Sequence, residues 1–400
     1  MTRRTAVLVA ALVVTAPSVA LAQPPDDPVP PGTAVLGPVR LTPSLVLRDM
    51  GVDNNVFNEA ENPKTDFTFT VAPRVDVAFR ARRLHLTLAA VTDFVYFKKY
   101  ESERSTNASA ETRLEFDLGR LRPYVNARGV DTRSRLNTEV DTRARHHDVT
   151  YGTGVSFAVA SRTRLLFNAA TTGIEYEEGT EFRGEDLKTS FDSRRDTLDG
   201  GFSMDLTPIT RFSLLVAREQ QRFDFSTDRD SDTWRITPGL SFNPAGLVTG
   251  SASVGYRHFH PLSPALPDYS GLVSAVSVGA TIYGRHHVQG VFNRDVQYSY
   301  DEATDYYLGT TVGVTWTMLV AGPIDVRGTG ARTVMDYRNV SEPTGRDVMN
   351  TYGGGIGYRF GSRARAGFNV EWLRRDSDSS TERRYRNHRY FFGLTWGTTS

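Results

Sequence analysis

The sequence predicts an all-β fold: a transmembrane, antiparallel, up-and-down β-barrel of about 18 strands, within a range of about 16–20. Three observations lead to this prediction. The N-terminus resembles an export signal. Apolar and polar residues alternate with period two along the rest of the chain, and short connections between the strands alternate with long ones. Together these features are typical of barrels in the bacterial outer membrane.

The N-terminus has the three parts of a secretory signal peptide. Arg3 and Arg4 supply positive charge, an apolar run follows, and Ala20 and Ala22 are the small residues that a signal peptidase reads. The apolar run is too short to span a bilayer as a helix, which needs about twenty residues. We therefore expect a signal peptide over 1–22, with cleavage after Ala22.

A proline-rich segment follows the signal peptide. Residues 23–32 contain five prolines, and proline-rich chains are extended rather than folded into a packed core. We expect a periplasmic leader over 23–38 and an outer-membrane barrel over 39–400, in a diderm bacterium.

Composition excludes several classes of protein. The net charge of +1 is too small for a nucleic-acid binder. The absence of cysteine rules out disulfides and thiolate metal sites. After the signal peptide no apolar run reaches eighteen residues, which excludes a helical inner-membrane protein.

The clearest alternation begins at Phe67. Apolar side chains occupy nearly every second position, with threonine, arginine and aspartate between them. Successive side chains of a strand point to opposite faces, so one face is apolar and the other polar. The next strand repeats the pattern from Leu84, and later strands do so from Leu198, Leu308 and Tyr352.

Strand number follows from the repeat of about forty residues, which also fits the blades of a propeller. A blade would need four strands of about five residues, whereas the alternation here runs for about ten to thirteen, enough for a tilted strand to cross a membrane. Two strands per repeat give about 18 strands. A closed sheet of that size has an interior too wide for side chains to fill, so its apolar face belongs in lipid.

Connections alternate in length, as in outer-membrane barrels. Short ones lie near Gly119, Ser161, Pro208, Pro244, Gly284, Pro323 and Ser362. Long polar ones cover 52–64, 98–107, 133–146, 177–195, 224–231, 260–268, 299–305, 339–347 and 376–384. The longest, Glu177 to Arg195, is the candidate plug or constriction. Aromatic residues recur before the short turns and predict a girdle at one membrane interface: Phe79, Phe116, Phe157, Phe202, Phe242, Trp316, Phe360 and Trp396.

The last strand resembles the C-terminal signal read by the outer-membrane insertion machinery. Tyr390, Phe392, Leu394 and Trp396 alternate towards a final aromatic residue. The pattern departs from that signal because four residues follow Trp396.

The first strand and the loop after it carry a family resemblance. The run Val52-Asp53-Asn54-Asn55-Val56-Phe57 resembles the opening of an outer-membrane β-barrel porin family associated with exopolysaccharide export loci. That family commonly has an aromatic residue just before the motif, where this chain has Met50-Gly51. The resemblance implies a barrel of porin type and carries over no catalytic residues.

Candidate chemistry is sparse. Asp228, Asp230 and Asp232 have the spacing of the first ligands of a calcium loop, but Thr233 and Gly239 stand where its glycine and glutamate belong. A solvated, charged loop is the simpler interpretation. Adjacent histidines such as His286-His287 would face opposite sides of a strand and could not chelate together. No nucleophile motif is present, so we expect no enzyme activity, catalytic residue, metal or cofactor.

Charged residues on the inward parity of the strands are the best functional candidates. They are predicted to line the pore: Arg113, Glu115, Arg128, Arg235, Arg257, Arg327, Arg359, Arg365, Glu371 and Arg389. Rings of charge select solutes in pores, although the same residues could instead pair across the lumen and stiffen it. Arginine outnumbers acid in this set, which predicts a mild preference for anionic solutes.

Two functions follow from these observations. The first is a porin-like channel for small polar solutes or saccharides, which an insertion folding into the lumen would weaken. The second is a non-transporting barrel of the cell envelope, such as a partner of a polysaccharide secretion system. Expected partners are outer-membrane lipid and lipopolysaccharide, the insertion machinery, polysaccharide-export proteins and further copies of the chain, but not nucleic acid.

Overall fold

The computed structural model describes residues 33–243, 246–300, 306–338, 345–378 and 381–397. Within them, eighteen long antiparallel strands form a single sheet. The sheet closes because the first strand pairs with the second on one edge and with the last on the other. The predicted fold class is confirmed.

The barrel strands are numbered in chain order and run from 12 to 18 residues. They are β1 (Val39–Asp53), β2 (Asp66–Ala81), β3 (Leu84–Phe97), β4 (Ser105–Phe116), β5 (Leu121–Arg135), β6 (Arg143–Ala160), β7 (Thr163–Tyr176), β8 (Ser193–Thr207), β9 (Thr210–Phe223), β10 (Ser231–Phe242), β11 (Val248–Pro261), β12 (Tyr269–Ile282), β13 (His286–Tyr298), β14 (Tyr306–Ala321), β15 (Ile324–Arg338), β16 (Arg346–Phe360), β17 (Ala364–Ser377) and β18 (Tyr385–Trp396).

Few other elements are present in the described residues. The strand Ala34–Leu36 forms a hairpin with the start of β1 and lies in the predicted leader. The signal peptide, with Ala20 and Ala22, lies outside the described residues. Between β7 and β8 a small hairpin, Glu181–Phe182 with Glu185–Asp186, leads into the helix α1 (Leu187–Phe191). No helix in the described residues is long and apolar enough to span a membrane.

The two faces of the wall follow the predicted alternation. In β2 the side chain of Phe67 is 38% exposed on the outer face, while its neighbours Asp66 and Thr68 are buried on the inner face. In β18 the four outward side chains are exposed by 39–53%: Tyr390, Phe392, Leu394 and Trp396. The outer face therefore presents apolar side chains to lipid, as a membrane barrel requires.

Aromatic residues before the short turns lie on this outer face. Five of the predicted girdle residues are at least 36% exposed: Phe116, Phe157, Trp316, Phe360 and Trp396. Outward-facing rings near one rim suit the boundary between lipid and water.

Short turns and long loops alternate as predicted. Two residues, Gly322 and Pro323, join β14 to β15, and Gly322 has φ 53°, a conformation that glycine adopts without steric cost. Between β7 and β8, in contrast, the chain runs over 177–192. Pro244 and parts of the loops predicted over 299–305, 339–347 and 376–384 lie outside the described residues.

The seam between β1 and β18 is irregular. The register shifts after Leu47 and resumes at Met50, and Asp49 has φ 56°. A Cβ atom at Gly51 would lie 1.9 Å from the carbonyl oxygen of Tyr390, so only glycine allows the two backbones to approach this closely.

At the end of the barrel that carries the long loops, which we call the outer mouth, two hairpins bend away from the wall. Pairing of β4 with β5 stops at Ala108 and Asp131, although β5 continues to Arg135. Pairing of β12 with β13 stops at Ser274 and Arg294, although β13 continues to Tyr298. Because β5 and β13 stand on opposite sides of the barrel, the hairpins β5–β6 and β13–β14 bend towards each other across the mouth.

Candidate functional site: the lumen and its outer mouth

Residues predicted to line the pore fall on the strand face opposite to the lipid. Arg235, for example, lies between Trp234 and Ile236, whose side chains are 51% and 49% exposed on the outer face. Cross-strand pairing puts the whole predicted set on the same inward parity: Arg113, Glu115, Arg128, Arg235, Arg257, Arg327, Arg359, Arg365, Glu371 and Arg389. Their role in solute passage stays a prediction.

One charged cluster lies below the mouth on the β10–β13 wall. The Asp295 carboxylate accepts a hydrogen bond from Arg257 at 2.7 Å and one from Arg235 at 3.1 Å. Arg257 also lies 3.4 Å from Glu219. These contacts skip over β12, which is feasible only on the concave side of the sheet. The cluster therefore belongs to the lumen.

A second cluster lies near the short-turn end. Asp325, fully buried, accepts hydrogen bonds from Arg359 at 3.0 Å and from Arg365 at 2.6 Å. One carboxylate faces two guanidinium groups, so positive charge is in excess here. The cluster at Asp295 also has more arginines than carboxylates. With Glu219 and its second partner Arg195, at 3.9 Å, it contains three arginines and two carboxylates.

A third cluster spans the seam. Arg389 lies 2.8 Å from Asp49 of β1 and 3.0 Å from Glu371 of β17. Its neighbour Asp53 is 3.5 Å away. This arginine therefore links the first and last strands, and acid outnumbers base around it.

Elsewhere on the inner face, Arg113 pairs with Glu115 at 3.2 Å and stacks over the ring of Tyr124 at 3.5 Å. Much of the predicted pore charge is thus paired within the wall. Pairing across the inner face, which the sequence left open as an alternative, is extensive.

At the outer mouth the two bent hairpins meet through Glu139, at the tip of β5–β6. The Glu139 carboxylate is fully buried. It accepts hydrogen bonds from the Ser299 hydroxyl at 2.8 Å and from the Tyr300 backbone N–H at 3.2 Å. Arg383 lies 3.9 Å away. We call this the Glu139 nest.

Burial raises the pKa of Glu139 to about 7, although the Ser299 hydroxyl and the Arg383 guanidinium act in the opposite direction. A carboxyl group deprived of water loses more hydration free energy when ionised than these donors return. Glu139 can therefore change charge near neutral pH.

Arg375 of β17 holds the same loop from across the seam. Its guanidinium is fully buried and donates to the backbone oxygen of Thr138 at 3.0 Å and to Asp141 at 3.0 Å. The other end of the guanidinium pairs with Asp347 at 2.6 Å, and Asp347 is itself fully buried. A loop of β5–β6 is thus fixed to β16 and β17, about a third of the way round the barrel.

Aromatic residues complete the closure. Arg383 donates to the hydroxyl groups of Tyr300 at 2.6 Å and Tyr337 at 2.9 Å. Tyr307, which is 1% exposed, packs against Tyr337 with ring centroids 5.5 Å apart. Packed side chains as well as ion pairs therefore join the described loops across the mouth.

The predicted plug over 177–195 supports this closure from one side. Leu187 and Phe191 of α1 are buried against Val140 of the β5–β6 tip and Tyr300 of the β13–β14 tip. Arg229 donates to the backbone oxygens of Ser190 and Ser299, at 3.1 and 2.8 Å. The central contact itself is made by 136–142, which lies in the long connection predicted over 133–146 but was not predicted to be the constriction. Its visible signals are Leu136 and Val140, apolar residues within a polar loop.

The motif that carries the family resemblance has a structural task. Asn54 bonds to the backbone of His388 in both directions, and the Asn55 side chain donates to the backbone oxygens of Glu59 and Arg386. Val56, fully buried, accepts a hydrogen bond from Arg135 through its carbonyl oxygen. The motif therefore fastens the first loop across the seam and under the closing hairpin.

Two of the three aspartates with the spacing of calcium ligands bind groups of the protein itself. Asp230 accepts a hydrogen bond from the Phe223 backbone at 2.8 Å, and Asp232 pairs with Arg222 at 2.6 Å. Among the residues that the structure describes, no group of three or more histidine, aspartate or glutamate side chains could hold a metal ion.

Solved structures similar to this chain include porins and a transporter. The BenF-like porin from Pseudomonas fluorescens Pf-5 superposes with a TM-score of 0.51 at 11% identity, over 90% of this chain and 98% of that chain. OccK2 (OpdF) from Pseudomonas aeruginosa gives 0.50 at 11% identity, over 90% and 98%. At these identities the likeness shows the fold alone.

A third similar structure is the FrpB iron transporter from Neisseria meningitidis (F3-3 variant), at 10% identity and a TM-score of 0.45. The match covers 84% of this chain and spans 62% of the length of that transporter. No curated protein matches the chain.

The family comparison is decisive. A family model described as "Putative beta-barrel porin 2" matches residues 31–397, which is almost the whole barrel and its leader end. The chain belongs to this porin family, and it is an outer-membrane β-barrel of porin type.

Proposed function

We propose that the protein is a gated outer-membrane channel for small polar solutes, with a preference for anionic solutes such as acidic saccharides. One observation carries the channel: charged side chains on the inner face below the mouth keep contact with solvent. The side chains of Arg48, Arg74 and Asp76 are 40%, 48% and 37% exposed. A hydrated, charged lumen is what passage of polar solutes needs.

The preference for anions rests on the local charge ratio. Asp325 faces two arginines. The cluster at Asp295 contains three arginines and two carboxylates, Asp295 and Glu219. Each cluster therefore has positive charge in excess. The cluster at Arg389 has the opposite balance. Two of the three clusters therefore favour anions, which supports a mild preference.

Gating is proposed because the mouth is closed by loop contacts and not by the wall. The hairpins β5–β6 and β13–β14 meet at the Glu139 nest, and non-covalent contacts alone hold them there. A closed mouth argues against a permanently open pore.

The test is planar-bilayer recording across a salt gradient. The wild type is compared with a variant in which residues 137–141 are replaced by a two-residue Asn-Gly turn, which fits a β-hairpin. We expect rare openings in the wild type, frequent openings in the variant, and a reversal potential of anionic sign in both. A reversal potential of cationic sign would remove the preference for anions.

The second candidate is a non-transporting envelope barrel, for instance a partner of a polysaccharide secretion assembly, and the closed mouth favours it. Absence of conductance in both wild type and shortened-loop variant would support this candidate against the channel. Binding to secretion partners, to lipopolysaccharide and to further copies of the chain belongs to the same proposal.

A further inference from the structure

The barrel wall has an interruption between β12 and β13. The two strands are in register from Ile282 and His286 up to Ser274 and Arg294. Beyond this point β12 continues for five residues, 269–273, and β13 for four, 295–298, without pairing with each other.

The interruption arises because β13 turns into the lumen. Asp295 reaches Arg257 of β11 at 2.7 Å, behind β12. Tyr298 packs against Phe259 of β11 with ring centroids 5.9 Å apart. The end of β13 therefore lies inside the barrel, and β12 is left as an edge on its outer side.

A cleft of about 550 Å³ opens on the outer surface at this place. Val254, Leu272 and Phe292, one from each of three strands, supply its apolar lining. These side chains are 50%, 63% and 38% exposed. The cleft therefore faces the lipid at the upper end of the apolar belt.

The protein behind the cleft is also apolar. Phe259, Val296, Tyr306 and Leu308 form a buried cluster with Tyr269 packed against it, and Tyr269 also lines the cleft. The Tyr269 hydroxyl donates a hydrogen bond to the backbone oxygen of Leu272 at 3.1 Å. This carbonyl oxygen therefore has a partner within the protein, although β12 and β13 are not paired here. An apolar ligand in the cleft would meet apolar neighbours on both sides.

A single cation stands at the rim. Arg294 lines the cleft and donates one hydrogen bond, to the Thr310 hydroxyl at 3.1 Å. In the described part of the chain no carboxylate lies within ion-pair distance of it. Guanidinium groups have five N–H donors and suit carboxylates. An arginine above an apolar cleft, with no carboxylate partner among the described residues, fits the head group of an anionic amphiphile.

We propose that the β12–β13 cleft binds a long-chain carboxylate from the outer leaflet, with its acyl chain against Val254, Leu272 and Phe292 and its head group at Arg294. A single-chain ligand suits one narrow cleft with one arginine better than a lipid with several chains and charges. This site lies on the outer surface of the wall and is independent of the proposed channel.

The probe is a long-chain fatty acid with a terminal diazirine, photoactivated with the whole protein in phospholipid bilayers. Labelled peptides are mapped by mass spectrometry. We expect labelling to concentrate on 254–256, 269–274 and 292–296, and unlabelled fatty acid to compete. Even labelling around the barrel, or labelling of the cleft that unlabelled fatty acid does not reduce, would overturn the proposal. This experiment needs no variant.

Two variants test the chemistry of the site. Leu272→Asn should reduce capture at the cleft roughly tenfold, because it removes an apolar contact and adds a polar group. The matched control is Leu198→Asn, since Leu198 is 64% exposed on the same outer face but pairs with both neighbouring strands. An equal loss in both variants would mean general contact with lipid and would contradict a site.

The variant Arg294→Gln distinguishes binding of the carboxylate head group from binding of the acyl chain. We expect it to reduce capture of the fatty acid while sparing the matching fatty alcohol, which carries no charge. If it changes both probes alike, the arginine does not bind the head group and the assignment is wrong. Circular dichroism of each variant confirms that the barrel has folded.

Discussion

The wall and the outer mouth are made from the same strands, but different factors determine which of their residues are buried. In the wall, burial depends on parity: Phe392 and Leu394 are 53% and 39% exposed to lipid, whereas Phe391 and Thr395 have the inward parity and are half-buried. At the mouth three consecutive residues, Tyr306, Tyr307 and Leu308, are all at most 2% exposed. Both faces of a hairpin that bends into the lumen are covered by protein, so alternation no longer decides burial there.

Charge is handled differently in the two regions as well. In the wall Arg74 and Asp76 pair while keeping nearly half and more than a third of their side chains exposed. At the mouth Arg375 and Asp347 are fully buried and depend on each other. Exposed pairs contribute about 0–1 kcal/mol, whereas breaking a buried pair costs about 3–5 kcal/mol. The mouth should therefore be the region more sensitive to loss of a single charge.

The largest effect is expected from Arg375→Ala. It removes the bonds to Thr138 and Asp141 that hold the loop. It also removes the closer of the two guanidinium groups at buried Asp347, since Arg383 remains at 3.5 Å. Breaking buried pairs of this kind costs about 3–5 kcal/mol. Channel openings should become frequent, and loop 136–142 should become sensitive to protease. The neighbouring Arg374→Ala is the control, because Arg374 is 55% exposed and pairs with Asp376 on the outer face. Similar behaviour of both variants would contradict the closure.

A smaller effect is expected from a charge on the lipid face of the wall. Leu88→Arg, near the middle of β3, should destabilise the barrel by about 2–4 kcal/mol, measured by reversible unfolding in urea. Its neighbour Thr87 faces the lumen, opposite Arg113 and Ala78, and is exposed there. Thr87→Arg should cost much less. Equal losses would mean that the two faces of β3 do not differ in environment.

Titration of Glu139 should change closure without removing a side chain. The pKa is about 7 with the loop docked and about 4.5 when the carboxyl group is hydrated, so the docked loop binds the proton more tightly. Docking is therefore strongest below pH 4.5, weakens as the pH rises to about 7, and is constant above that. Channel openings should become more frequent over this interval.

Glu139→Gln should abolish most of this pH dependence, while Glu178→Gln, at an exposed position of the neighbouring loop, should preserve it. Openings that instead decrease with rising pH would show that ionised Glu139 stabilises the closed mouth.

No change in stability is expected from single cysteines that report topology, and the chain has no cysteine of its own. Glu178→Cys in a long loop should react with an impermeant maleimide on intact cells. Arg162→Cys in a short turn should react only after the cells are opened. The opposite pattern would invert the barrel and place the closed mouth in the periplasm.

The architecture of the barrel wall could be predicted from the amino-acid sequence alone. Period two, strand length and the alternation of short and long connections predict a closed barrel of eighteen strands, because lipid on one side and water on the other impose one rule at every position. The inward parity of Arg257 and Arg389 follows from the same rule. Their partners do not follow from it. Asp49 comes near Arg389 only because the sheet closes, and Asp295 comes near Arg257 only because β13 turns into the lumen behind β12.

The contacts at the outer mouth became visible only in the tertiary structure. Glu139 and Ser299 are 160 residues apart in the chain, and neither residue signals that β5–β6 and β13–β14 leave the wall to meet. Nor does an ordinary alternating strand such as β12 show that its outer end will lose a partner and leave a cleft. A local pattern reports the environment of a strand within the sheet, whereas bending of a hairpin depends on what the opposite wall offers it.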